Sequence, residues 1–135
     1  MRFTTNSPEE TQKIALKLLA LYPKNRIWLL YGDLAAGKTT FVKGFAQFFK
    51  VDPQEVKSPT FALMNEHDLF VHYDLYRLLE LGSEIEEAFN EHLQGTQHLL
   101  IEWPELLESR IHAPHIKLYF THKGGDEREI QLLEL

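Results

Sequence analysis

The run Gly32-Asp33-Leu34-Ala35-Ala36-Gly37-Lys38-Thr39 fits G-x-x-x-x-G-K-[ST], and this pattern needs a buried strand that turns sharply into a helix. The flanks supply both. Arg26-Ile27-Trp28-Leu29-Leu30-Tyr31 is an apolar, aromatic run suited to a core strand. Phe41, Val42, Phe45, Phe48 and Phe49 recur at the spacing of one helical face. Glycines that permit unusual backbone angles let successive amide N–H groups turn inward around a phosphate chain. The first turn of the next helix adds unpaired N–H groups and the positive end of its dipole. In this reading Lys38 reaches the outer phosphates, the Thr39 hydroxyl completes the coordination of Mg²⁺, and Thr40 is a further phosphate donor.

At 135 residues the chain is read as a single domain, 1–135, large enough to bury about two thirds of the surface it exposes when unfolded. There are no cysteines, so disulfides, thiolate metal sites and cysteine nucleophiles are excluded. The seven histidines are dispersed, and none forms a metal-ligand spacing with two others. No apolar run approaches membrane-spanning length, and Met1 to Asn6 lacks the apolar core of a signal peptide; the expectation is a cytoplasmic protein without membrane contact. A net charge of −6 with scattered basic residues argues against a broad phosphate-backbone footprint.

Ser7-Pro8-Glu9-Glu10 predicts a helix start, with Ser7 as cap, Pro8 at the first position and Glu10 closing the box. Ile14, Ala15, Leu18, Leu19 and Tyr22 form its apolar face. Val51 to Pro59 reads as a loop, and Phe61 to Asn65 and Phe70 to Asp74 as strands of a β-hairpin turning near Glu66-His67-Asp68. Ile85, Ala88, Phe89 and Leu93 predict a short helix, and His98 to Ile101 a core strand ending at Glu102. Ile116 to Phe120 and Glu129 to Leu133 are strands separated by Lys123-Gly124-Gly125-Asp126. The sum is an α/β fold of the P-loop NTPase type: a mixed sheet, parallel around the nucleotide, with antiparallel pairs toward one edge and helices on both faces.

A phosphate loop calls for an acid at the end of a neighbouring buried strand, and two positions qualify, Glu102 and Asp74. Glu102 follows the more apolar strand. For Asp74 a catalytic and a solvated role stand open. Ser58-Pro59-Thr60-Phe61 lies where a loop sensing the terminal phosphate can be placed, although on composition alone a proline turn entering a strand is the better reading. Trp103-Pro104 is also compatible with a simple strand end. The guanine-reading N-K-x-D is missing, its nearest approach being Asn65-Glu66-His67-Asp68, and no D-x-x-G is present, which leaves adenine as the expected base.

With these residues assembled, the chain resembles the TsaE (YjeE) family, small bacterial ATPases of the machinery that installs threonylcarbamoyladenosine in tRNA next to the anticodon. The resemblance rests on Gly32-Asp33-Leu34-x-Ala36-Gly37-Lys38-Thr39-Thr40-Phe41, Ser58-Pro59-Thr60-Phe61, His72-x-Asp74-Leu75-Tyr76-Arg77-Leu78 and Ile101-Glu102-Trp103-Pro104, in the family's order. It implies that residues 33–40 bind ATP, with Asp33, Leu34, Ala35, Ala36, Gly37, Lys38, Thr39 and Thr40 around the phosphates. It implies further that Thr39 and Glu102 serve Mg²⁺, and that Lys38, Asp74 and Glu102 are catalytic, Asp74 as a second acid that orients water. Ser58, Pro59, Thr60 and Phe61 would form a switch-like loop, while Trp103 and Arg128 would lie beside the nucleotide, although for Arg128 a solvated hairpin arginine is the simpler reading. The implied partners are the TsaB and TsaD proteins, with tRNA met only through the complex, and slow hydrolysis in their absence. Ala35 departs from the family's usual glycine, and its methyl group disfavours a positive φ there. The alternative from another class is a small-molecule kinase, which needs an arginine-rich lid that the sequence does not offer.

Overall fold

The computed structural model describes residues 1–56 and 64–135. Ser7 caps the first helix, α1 (Pro8–Leu21), by accepting the Glu10 N–H at 3.1 Å, and the Glu10 carboxylate turns back onto the Asn6 N–H at 2.5 Å. Before it runs β1 (Arg2–Thr5), a strand absent from the sequence reading. The core strand β2 (Ile27–Tyr31) leads through the glycine loop into α2 (Lys38–Phe48). Then follow β3 (Met64–Glu66), β4 (Phe70–Asp74), α3 (Ser83–Gln94), β5 (His98–Glu102), β6 (Ile116–Gly124) and β7 (Glu127–Glu134). The segment Ser58 to Phe61 and the first residues of the strand anticipated from Phe61 lie outside the described residues.

These strands form one sheet in the order β1-β7-β6-β2-β5-β4-β3. The four central strands, β6, β2, β5 and β4, are parallel, and Asp74 stands level with Glu102 in the β4–β5 register. Antiparallel pairs flank them on both sides, not on one edge as the sequence suggested: β6–β7 and β1–β7 at one edge, β3–β4 at the other. The two hairpins are joined to opposite ends of the parallel set, and β1 extends one edge by pairing with the far end of the chain.

Alternation along each strand sends side chains to two cores. Trp28, Leu30, Leu100 and Phe70 meet α1 and α2 on one face, while Ile27, Leu29, Ile101 and Tyr73 meet α3 and the 3₁₀ turns after β5 on the other. Helices thus cover both faces, as expected. Phe41 and Phe45 are fully buried, with Phe45 edge-on to Trp28 at 5.3 Å and Phe41 edge-on to Phe120 at 5.4 Å. Burying each such ring stabilises the fold by about 1.5–3 kcal/mol and anchors the helix that carries Lys38 and Thr39. Gly44 fixes how closely α1 and α2 approach, since a Cβ there would lie 2.5 Å from the Gln12 carbonyl oxygen. No helix among the described residues is long and apolar enough to cross a membrane.

Candidate functional site

The loop after β2 is shaped by three residues with positive φ: Gly32 at 143°, Ala35 at 62° and Gly37 at 106°. Gly32 is obligatory on two grounds, since a Cβ there would also sit 2.5 Å from the Phe120 carbonyl oxygen. Ala35 adopts the left-handed angle that its methyl group disfavours, at a cost of about 1–2 kcal/mol. Gly37 caps α2 without a side-chain hydrogen bond, which leaves the first amides of the helix directed at the cleft.

A cleft of about 820 Å³, open to solvent, lies against this loop. Leu34, Ala35, Gly37, Lys38, Thr39 and Thr40 line it from the loop side, and Asp74, Glu102, Trp103 and Arg128 from the other elements. Asp33 and Ala36 do not line it. Asp33 is exposed and its carbonyl accepts the Ala36 N–H at 3.2 Å, which closes the turn, while the Ala36 methyl packs into the core.

Lys38 is only 4% exposed. Its ammonium group donates to the Gly32 carbonyl and lies 3.7 Å from the centre of the Trp103 ring. Burial draws its pKa below the ordinary lysine value, and Glu102, Asp74, Glu105 and Asp33 oppose that shift by their charge. Trp103 reaches over the lysine because its backbone takes a positive φ of 56°, which turns the chain sharply at the end of β5; Tyr76 packs on the same ring at 5.0 Å. The residue is therefore part of the site as well as a strand end.

Glu102, 2% exposed, receives the Thr39 hydroxyl at 3.2 Å on both carboxylate oxygens and the His72 imidazole at 2.5 Å on Oε2. Beside it, Asp74 accepts the Tyr76 N–H at 3.2 Å, a turn that keeps its carboxylate at the strand end. Arg128 donates from Nη1 to the carbonyls of Gly125 and Glu127, and its aliphatic stem lies over Gly37, 3.7 Å from where a Cβ would stand. Arg128 thus braces the hairpin and borders the loop.

The donor set suits a hard divalent cation bound with a phosphate ligand. One hydroxyl and one carboxylate converge, and among the described residues no cluster of three acids or histidines forms a cage. Mg²⁺ favours such a site, since it keeps waters and takes one or two protein oxygens plus phosphates.

The sequence reading missed Ser7, Pro8 and Thr11, which also line the cleft, and Tyr76 and Asp126. No local signal places the start of α1 beside the loop; the β1–β7 pairing does so, together with the α1–α2 contact. His72 was missed as well, although its position two residues before Asp74 puts both on one face of β4 and could have flagged it.

Residues 5–130 match the family model described as "Threonylcarbamoyl adenosine biosynthesis protein TsaE". The chain is 36% identical to the tRNA threonylcarbamoyladenosine biosynthesis protein TsaE of Bacillus subtilis, over 96% of this chain and 83% of that one. It is 39% identical to the protein of the same name from Rickettsia conorii, over 93% of this chain and 73% of the other. Among solved structures it is similar to the crystal structure of Bacillus subtilis YdiB, with a TM-score of 0.70 and 34% identity over 98% of this chain and 83% of that one. With that agreement in sequence and in fold, the chain belongs to the TsaE family.

Proposed function

We propose that this chain is a Mg²⁺-dependent ATP-binding and ATP-hydrolysing subunit required for threonylcarbamoyladenosine modification of tRNA next to the anticodon, acting with TsaB and TsaD. The observation that carries the reading is the meeting of the Thr39 hydroxyl and the Glu102 carboxylate at 3.2 Å, at the end of a loop of positive-φ residues. Family membership supports the pathway, and the acidic net charge of −6 supports a division of labour in which another polypeptide holds the tRNA.

The chain's own residues have distinct tasks in this reading. Backbone N–H groups of the loop and of the first turn of α2 bind the phosphates, and Lys38 leaves the Gly32 carbonyl to pair with the outer ones. Thr39 and Glu102 hold Mg²⁺, which when bound draws off negative charge from the phosphate oxygens. Asp74, one strand away, orients the attacking water, while Trp103 and Tyr76 shield the lysine side from bulk solvent. Hydrolysis is slow alone because positive charge at the far side of the terminal phosphate is left for a partner to supply.

Reconstituted tRNA modification under multiple turnover, with TsaB and TsaD, tests this. Lys38→Ala and Glu102→Ala are each expected to reduce it by at least about 100-fold, the scale of losing one charge-stabilising group. Normal activity of both variants refutes the assignment. Product analysis distinguishes the kinase alternative, which yields a phosphorylated metabolite in place of free phosphate.

A further inference from the structure

His72 is 1% exposed, carried in the middle of β4, and lines no part of the cleft. Its Nε2 lies 2.5 Å from Oε2 of Glu102 on the next strand. A carboxylate can only accept, so Nε2 carries the proton and donates it. The other ring nitrogen, Nδ1, is buried and has no partner among the described residues.

The hydrophobic core does not call for this residue. A buried polar pair of this kind is commonly replaced by apolar side chains of similar volume without loss of stability, so a histidine spent on a strand-end carboxylate suggests a task at the site. Geometry specifies the task. Two donors converge on Glu102: His72 Nε2 on Oε2, and the single Thr39 hydroxyl, 3.2 Å from both Oε1 and Oε2. With His72 holding Oε2 and the Thr39 hydroxyl set between the two oxygens, rotation of the carboxylate is opposed from two elements at once. An unbraced glutamate has three side-chain torsions with which to lose that orientation.

Resting on the proposed Mg²⁺-nucleotide reading, we infer that His72 is a positioning residue that locks the Glu102 carboxylate for metal binding by a direct Nε2–H hydrogen bond from the adjacent strand. It acts through Glu102 and touches neither nucleotide nor metal. Loss of such an outer hydrogen bond lowers metal affinity by about 10–100-fold in comparable sites.

Calorimetric titration of a non-hydrolysable ATP analogue into the full chain, with and without Mg²⁺, reads the gain in affinity that the metal confers. His72→Leu is expected to cut this gain by about 10–100-fold. His72→Gln, whose amide nitrogen can reach the place of Nε2, is expected to recover most of it. An unchanged gain in His72→Leu overturns the inference and leaves the proposed function standing. A wild-type protein whose uptake ignores Mg²⁺ overturns both. Nitrogen-15 spectra of the metal-free wild type give a reading that no folding defect can obscure: a protonated Nε2 on His72 is expected, and a bare Nε2 overturns the assignment.

Discussion

Two walls of the cleft are built in opposite ways. One wall is drawn from Leu34 to Thr40, within a single continuous loop whose shape follows from its own backbone angles. The other takes Asp74 from β4, Glu102 and Trp103 from the end of β5, and Arg128 from β7, and exists only because the sheet sets those strands in register. A wall made of neighbours in sequence is fixed by local sterics. A wall made of distant residues is fixed by packing, and its chemistry can be altered without touching the first.

Gly32→Ala breaks the local wall most severely. The added methyl group meets the Phe120 carbonyl at 2.5 Å and also forces an alanine to a φ of 143°. Strain of both kinds sums to about 3 kcal/mol or more of lost stability, to be read by urea denaturation. A loss under about 1 kcal/mol would show that the loop yields more readily than its contacts imply.

An acid titration probes the remote wall through the strand that carries it. His98 begins β5, and burial first, then the charge of Arg26, lowers its pKa below the ordinary value of 6.5. A base whose pKa falls on folding gives stability that is present above its unfolded value and is lost as the pH drops from there through the folded value. Melting temperatures should therefore decline as the solution is acidified below about pH 6.5, the unfolded histidine value. His98→Phe, which can rest among Phe45, Phe49 and the neighbouring strand, should flatten that decline. An equal decline in the variant would assign the acid sensitivity to other groups.

The smallest effect is expected at Ala35. Its left-handed backbone costs about 1–2 kcal/mol, but a glycine there returns about 0.5–1 kcal/mol as extra freedom of the unfolded chain. Ala35→Gly should thus stabilise the protein by only about 0.5–1 kcal/mol, measured by the same denaturation. Destabilisation would mean that the methyl group makes contacts that outweigh its strain.

The same contrast explains what could be read from the sequence. The glycine loop, the helix after it and the capping box at Ser7 were legible because each is decided within a few residues. Glu102 was legible because an apolar run pointed to it, and the central parallel strands followed from the same pattern. β1 was not, since Arg2–Thr5 is four residues long, half-exposed in pattern, and finds its partner at the opposite end of the chain. Both antiparallel hairpins were legible, but that they lie at opposite edges follows from the strand order and from no local signal. The wall formed by Ser7 and Thr11 depends on how two helices pack, which no periodicity encodes. His72 was visible as a letter in a motif, but its purpose appears only when β4 and β5 are laid side by side.

Where Gly44 lets α2 touch Gln12, main chain meets main chain with no cushion of side chains between. Two helices joined so tightly have no room for a larger side chain at the crossing and little room to slide past one another. The Ser7–Thr11 side of the cleft is thereby tied by backbone contact to the helix whose first turn carries Lys38 and Thr39.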